Sequence, residues 1–301
     1  MLRIAATLLL AISLLGTPVS TQMKIGALPG DFVELDVVVL DRKAQPIHGL
    51  SMADFQVKDT GKRVELATFR EVRGPNLSDP DGARSLVLLL DDSGVAATGT
   101  QSIQIIANAF LEMADRRDDL AVVRLHALDD EPFGDRIAAR ERIRAYRGAA
   151  FPFAYWSTTS ETLNRVAALA QSTALNTSKR KVLVCIGAGF VCNPSEPDPA
   201  TPGSFDRGWR SAVNEVALAN TSVYALVPGR GLLRPGSLAD VTGGDVFGLG
   251  YNVAPAIERI LRDASNYYVL GYWPVAEGKE LRRVEVKVKT KGARVLARKL
   301  R

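Results

Sequence analysis

Leu86 to Leu90 is a run of five consecutive apolar residues with no polar interruption, and Asp91 follows it directly. A strand with one wet face alternates apolar and polar residues, so an unbroken run of this length fits a strand buried on both faces of a parallel sheet. That demands helices on either side. The chain beyond Asp91 meets the demand: residues 101–115 place Ile103, Ile106, Phe110 and Met113 at helical spacing, 119–127 reads as a strand and 161–171 as a helix. The alternation goes on with a strand at 182–187, a helix at 208–219, a strand at 222–227, a short helix at 236–241, a short strand at 245–248 and a helix at 253–264. Strands alternating with helices predict an α/β fold with a doubly wound, mostly parallel sheet, whose ligands sit beyond the carboxyl ends of the strands. Asp91 stands at that rim.

Both flanks of this core are β-like. Residues 32–39 begin with period-2 alternation, and 55–58 and 63–70 are further β runs split by Gly61 and Lys62. The polar stretch 74–82, GPNLSDPDG, reads as a linker. Strand patterning returns at 267–273 and 283–300, where Val284, Val286 and Val288 share one face while Arg283, Glu285, Lys287 and Lys289 take the other. A basic face on an edge strand reads as a solvated, aggregation-blocking surface. The division expected is a β module at 22–78, the α/β domain at 84–265 and a β segment at 266–301, with the two flanks pairing into one small β unit around the inserted domain.

The first residues carry Arg3, then an apolar run from Ile4 to Leu15, then Gly16 to Thr21. This is the pattern of a secretory signal over 1–21, and the run is too short to span a bilayer, which takes about 20 apolar residues. An uncleaved N-terminal anchor stays open, since no clean Ala-x-Ala site is visible. The mature chain is expected to be exported, to the periplasm, the cell envelope or the medium, with no transmembrane span. A formal net charge of +5 from 38 Lys plus Arg against 33 Asp plus Glu is too small and too spread out to point to nucleic acid. Cys185, inside an apolar run, reads as a buried free thiol; pairing with Cys192 is the alternative, and it requires the chain to double back within seven residues.

Catalytic constellations are sparse. Gly187-x-Gly189 follows a strand, but Cys192 occupies the third glycine position of a dinucleotide fingerprint and the proline-rich segment after it cannot open a helix. Only His48 and His126 are available to a hydrolase, and Ser93 in DDSGV lacks the G-x-S-x-G elbow. An enzyme gathering Asp91, Ser93 and His126 at the rim therefore stays as the alternative reading, with no assembled triad behind it. Phe151, Phe153, Tyr155 and Trp156 crowd one loop near the rim, either packed beneath it or exposed as contact anchors.

SLVLLLDDSGV at 85–95 resembles the first strand and loop of von Willebrand factor type A domains, a Rossmann-like family whose Asp-x-Ser-x-Ser holds a divalent cation. SVYALVPGRG at 222–231, SLADVTGGDVF at 237–247, NYYVLGYWP at 266–274 and the β segment 36–62 resemble a bacterial exported subgroup of it, the von Willebrand factor A-related proteins. The resemblance implies a metal-ion-dependent adhesion site in which Asp91 and Ser93 match. Val95 stands where the second serine belongs, Thr158 or Thr159 supplies the later threonine, and Ala188 replaces the aspartate. Asp92 is a possible substitute. Mg²⁺ or another divalent cation takes six hard oxygen ligands, so the site is read as degenerate, with Asp91 and Ser93 hydrogen-bonding their own loop and no cofactor expected. The family's role in adhesion and assembly implies a non-catalytic module binding a protein partner at the carboxyl rim, through Asp92, Phe153, Tyr155 and Trp156. A purely structural component of a secreted assembly is the third reading.

Overall fold

A computed structural model describes residues 32–74, 84–92, 94–125, 135–149, 163–171, 180–187, 204–229, 237–274 and 282–300, with the backbone alone at 204–208. The apolar run is an interior strand. Strands β5 (Arg84–Leu90), β6 (Asp119–Arg124), β7 (Arg180–Ile186), β8 (Thr221–Pro228) and β9 (Val246–Leu249) form one sheet in the order β6-β5-β7-β8-β9, with every neighbouring pair parallel. All seven residues of β5 are buried. Its alternate residues go to opposite sides: Leu86, Leu88 and Leu90 meet helices α1 (Thr100–Met113), α2 (Arg136–Ala145) and α6 (Ala254–Asp263) through Ile103, Phe110, Ile143 and Ile260. Val87 and Leu89 meet α3 (163–171), α4 (Ser204–Leu218) and α5 (Leu238–Val241) through Val166, Val213, Val216 and Leu238. Each fully buried aliphatic side chain contributes roughly 1.5–3 kcal/mol relative to exposure, which is why this run dictates a two-sided cover. The result is the doubly wound α/β architecture that the run predicts, and it matches the von Willebrand factor A or Rossmann-like fold that the resemblance implies.

Helix α2 has no counterpart in the sequence expectation, and its composition explains why. Its sequence RIAARERIRA buries only Ala139 and Ile143, too few positions to show as a 3.6-residue stripe. Local chemistry holds it instead. Asp135 caps its amino end by accepting from the Ala138 amide at 2.8 Å, and Arg136 donates to the carbonyls of Ala114 and Asp115, both at 2.8 Å, just past the end of α1.

The two flanks fold together. Strands β1 (Val33–Leu40), β4 (Leu66–Arg73), β10 (Asn266–Tyr272) and β12 (Arg294–Ala297) form a sheet in the order β12-β1-β10-β4, and β2 (Phe55–Asp59), β3 (Lys62–Val64) and β11 (Val284–Val288) form another in the order β11-β2-β3. Each of these sheets thus takes strands from both ends of the chain, and all their pairings are antiparallel. The break expected at Gly61 and Lys62 is a hairpin turn at Thr60 and Gly61; Lys62 already belongs to β3, and a second break follows at Glu65. Leu35, Val37, Phe55, Val57, Tyr268, Leu270 and Val284 fill the space between the sheets. Strand β1 loses its alternation after Asp36 because Val38 and Leu40 face away from this core, into a second cluster with Tyr267, Val269 and Leu296.

Arginines at the start of the parallel strands seat this sandwich. Arg180, the first residue of β7, pairs with Asp36 of β1, donates to Ser222 Oγ at 3.0 Å and lies 4.8 Å from the Tyr267 ring centroid. Arg298 reaches back to the Glu34 carbonyl at 2.9 Å and to that of Ala217. Arg294 pairs with Asp245 at 2.9 Å, Lys299 with Asp240 at 2.6 Å, and Arg262 reaches the Ala44 carbonyl at 3.2 Å. Arg84, the first residue of β5, ties Asp118 (Nε to Oδ1, 2.9 Å) to the Leu261 carbonyl and Ser265. The sandwich therefore covers the amino-terminal end of the parallel sheet, and the carboxyl rim is the opposite end.

Candidate functional site at the carboxyl rim

The strand order β6-β5-β7-β8-β9 reverses direction between β5 and β7, since the chain moves one way from β5 to β6 and the other way from β7 onward. In doubly wound sheets the ligand crevice opens at this reversal, beyond the carboxyl ends of the two strands. Asp91 follows β5 there and Gly187 follows β7. They are in close contact: a Cβ on Gly187 would fall 2.3 Å from Asp91 Cβ and 2.9 Å from its Oδ2. Only glycine allows the two strand ends to meet this way.

Asp91 is 2% exposed. Its amide donates to the Ile186 carbonyl at 3.0 Å, completing the ladder, while its Oδ1 accepts from the Gly94 amide at 2.7 Å and closes a tight turn over 91–94. The Tyr146 hydroxyl donates to the Asp91 carbonyl at 2.7 Å. Burial, followed by the charges of Asp91 and Asp92, pushes the Tyr146 phenol well above its usual range and keeps it a neutral donor. The extended segment 146–149, just after α2, then clamps the rest of the loop. The Ala149 amide reaches the Asp92 carbonyl at 2.7 Å and the Gly148 amide reaches Thr100 Oγ1 at 2.9 Å. Gln104 Nε2 holds the Arg144 and Tyr146 carbonyls at 3.2 and 3.3 Å. A side chain at Gly148 would strike the Val95 and Ala96 carbonyl oxygens at 2.6 and 2.5 Å.

Of the residues singled out from sequence, Asp91 is at the rim as expected and Asp92 is beside it, half-buried, with its carbonyl engaged. Ser93, His126, Phe151, Phe153, Tyr155, Trp156, Thr158, Thr159 and Ala188 lie outside the described residues. Among the described residues no three His, Cys, Asp or Glu side chains gather closely enough to hold a metal ion. A hard divalent cation needs about six oxygens. Asp91 brings one buried carboxylate with Oδ1 already accepting a hydrogen bond, so the described rim residues do not by themselves fit such an ion. His48 lies in the sandwich and not at this rim: its Nδ1 sits 3.1 Å from Glu71, which also accepts from Arg73.

Tyr146, Gly148, Thr100 and Gln104 were not anticipated, because their role depends on α2, which the sequence pattern hides. Tyr251, wholly exposed in the turn after β9, is a further rim residue that was missed. Its only sequence signal is an aromatic among the small polar residues Gly250 and Asn252.

Cys185 corrects an expectation. It lies one residue before the end of β7, 3% exposed against α3 and α4, and it is disulfide-bonded, not a free thiol. The chain has one other cysteine, Cys192. Seven residues are no obstacle, since a disulfide needs Cα atoms only about 5.5–6 Å apart and a single chain reversal supplies that. Denatured without reductant, the chain is expected to show no reaction with a thiol reagent, and reduction should then expose its two thiols. A full thiol titre before reduction would refute the bond.

The chain matches no protein-family model and no curated protein sequence. Solved structures do align with it. The TFIIH p34 N-terminal domain covers 61% of this chain and 99% of its own, at 18% identity and a TM-score of 0.38. The human COPII-coat protein Sec24c covers 80% of this chain and 48% of its own, at 8% identity and a TM-score of 0.39. The pilus adhesin SpaC from Lactobacillus rhamnosus GG, in its open conformation, covers 87% and 48%, at 7% identity and a TM-score of 0.37. This chain thus spans about half the length of the last two. The fold assignment rests on strand order and helix placement, not on these alignments.

Proposed function

We propose that this chain is an exported, non-catalytic module that binds a protein partner at the carboxyl rim of its parallel sheet without a metal ion. One observation carries the reading: the β sandwich occupies the amino-terminal end of the sheet, while the strand-order reversal presents Asp91, Asp92 and the clamped 91–100 loop at the other end. A rigid loop is what a binding face needs, because ordering it on contact would weaken the complex. Exposed Tyr251 supplies an aromatic of the kind that anchors interfaces. Metal independence is supported by the donor count at Asp91 and by Ala188 in place of a carboxylate. Export is supported by the apolar N-terminal run and by a disulfide, which persists in oxidising compartments. Among the described residues no helix is long and apolar enough to cross a membrane.

The test is site-directed photo-crosslinking in the source cell's envelope fraction. A crosslinker at position 92 or 251 should capture one defined protein, with or without EDTA, whereas the same group at Arg63, on the outer strand β3 of the sandwich, should not. Equal capture from all three positions would sink the rim as the binding face. Loss of capture in EDTA would sink metal independence.

A further inference from the structure

Charge is buried at the seat of the sandwich, on the side of the parallel sheet that α6 covers. Asp263, the last residue of α6, is 0% exposed, and its two oxygens accept from Arg259 Nε at 2.9 and 2.7 Å. Arg259 is itself buried, yet its Nη2 has no hydrogen-bond partner among the described residues. Neither has the hydroxyl of fully buried Tyr224 on β8, which feels the charges of Asp263, Arg180, Asp245 and Arg259. Asp245, ahead of β9, brings a second carboxylate to the cluster and is held by Arg294 of β12. Asp263 is therefore faced by Arg259 and Arg262 from its own helix, by Tyr224 from β8 and by Asp245 from the loop before β9. Arg180 of β7, with Asp36 of β1 and Tyr267 of β10, completes the surroundings.

This arrangement is poor for an ionised carboxylate. Asp263 has one guanidinium, which approaches through a single nitrogen and not as a two-nitrogen fork, no water-facing side and another carboxylate nearby. We propose that Asp263 is a buried proton-binding site at the seat of the β sandwich, which takes up a proton in mildly acidic solution and stabilises the folded chain as it does so. Burial drives the effect, raising the carboxyl from its ordinary 3.8 to about 6; Arg259 and Arg262 oppose it and Asp245 adds to it. The sign follows from linkage. A carboxyl that holds its proton more tightly when folded makes the folded state gain on the unfolded one as pH falls from about 6 towards 4, and the cost of ionising it is present in full above that window.

Asp115, Glu71, Glu112 and Asp54 are shifted downward by their hydrogen-bonded partners and pull the other way in stronger acid. The measurement must therefore be a difference. Urea unfolding of the whole chain at pH 7.5, 6.5, 5.5 and 4.5 is compared with that of Asp263→Asn. The folding constant of the natural chain, relative to the variant, is expected to rise tenfold to about a hundredfold from pH 7.5 to 4.5, since two pKa units correspond to about a hundredfold. A ratio that stays flat overturns the proposal. Should the variant fail to fold, the Asp263 side-chain carboxyl ¹³C resonance of the natural chain decides. A midpoint above pH 5 supports the site and one below it overturns the site.

Discussion

Arg180→Met is expected to lower the unfolding free energy by about 3–5 kcal/mol, the cost of stranding one partner of a buried ion pair. Arg180 is 3% exposed, and its guanidinium joins three elements: Asp36 of β1, Ser222 of β8 and the Tyr267 ring of β10. Methionine fills much of the volume but leaves the Asp36 carboxylate, 10% exposed, facing an apolar end. Converting the pair together, Arg180→Met with Asp36→Leu, should recover most of the loss, because no unpaired charge then remains. The contrast is Arg144→Met. Its partner Glu141 is one turn away and both side chains are mostly in water, so the change should stay within about 0.5 kcal/mol. Urea denaturation followed by circular dichroism reads all four proteins. If Arg180→Met were as mild as Arg144→Met, the seat of the sandwich would have to be wet, and Asp263 would lose the dry surroundings that favour its protonated form.

How much of this was legible in the sequence depends on whether a feature is written in periodicity or in tertiary placement. The run Leu86–Leu90 states its own environment, because five apolar residues in a row have no wet face, and from it follow the parallel sheet, the helices on both sides and the position of Asp91. The flanking strands are legible for the same reason, and alternation in β2 and β11 marks the faces that close on each other. Buried arginine carries no such mark. Arg84 and Arg180 stand at strand starts, where an isolated strand would leave them in water, and only tertiary neighbours make them interior: Asp118, Leu261 and Ser265 around Arg84, and Asp36 and Tyr267 of the sandwich against Arg180. Helix α2 is hidden because two buried residues make no stripe, and with it goes Tyr146, whose hydroxyl steadies the Asp91 loop. At the rim the sequence marks the carboxylate but not its use. That Oδ1 closes a turn onto Gly94 is a matter of local backbone geometry that composition does not express.

Gly187→Ala is expected to cost about 3 kcal/mol, at the upper end of what overpacking a filled interior produces. The added methyl would lie 2.3 Å from Asp91 Cβ, and both atoms are bonded directly to backbone, so no side-chain rotation can relieve the overlap. Something larger must move. Strand β7 is fixed through its ladder to β5 and β8, and the Gly187 amide is itself bonded to the Leu226 carbonyl at 3.2 Å. The 91–94 turn has weaker holds, the Gly94 amide on Oδ1 and the Tyr146 hydroxyl on the Asp91 carbonyl, and it is the side that should yield. Hydrogen exchange then separates a local effect from a global one. Protection of the Gly94 and Ala149 amides should fall further than the loss of overall stability accounts for, while amides in the β1–β10 ladder should fall only in step with it. Gly250→Ala is the matched control, since a methyl there meets nothing within 4 Å. Crosslinking from position 92 should weaken in Gly187→Ala and persist in Gly250→Ala, because the first substitution displaces the rim loop and the second leaves it where it is. Undiminished capture from Gly187→Ala, with Gly94 protection lost, would mean that the partner contacts some part of the rim other than the Asp91 turn.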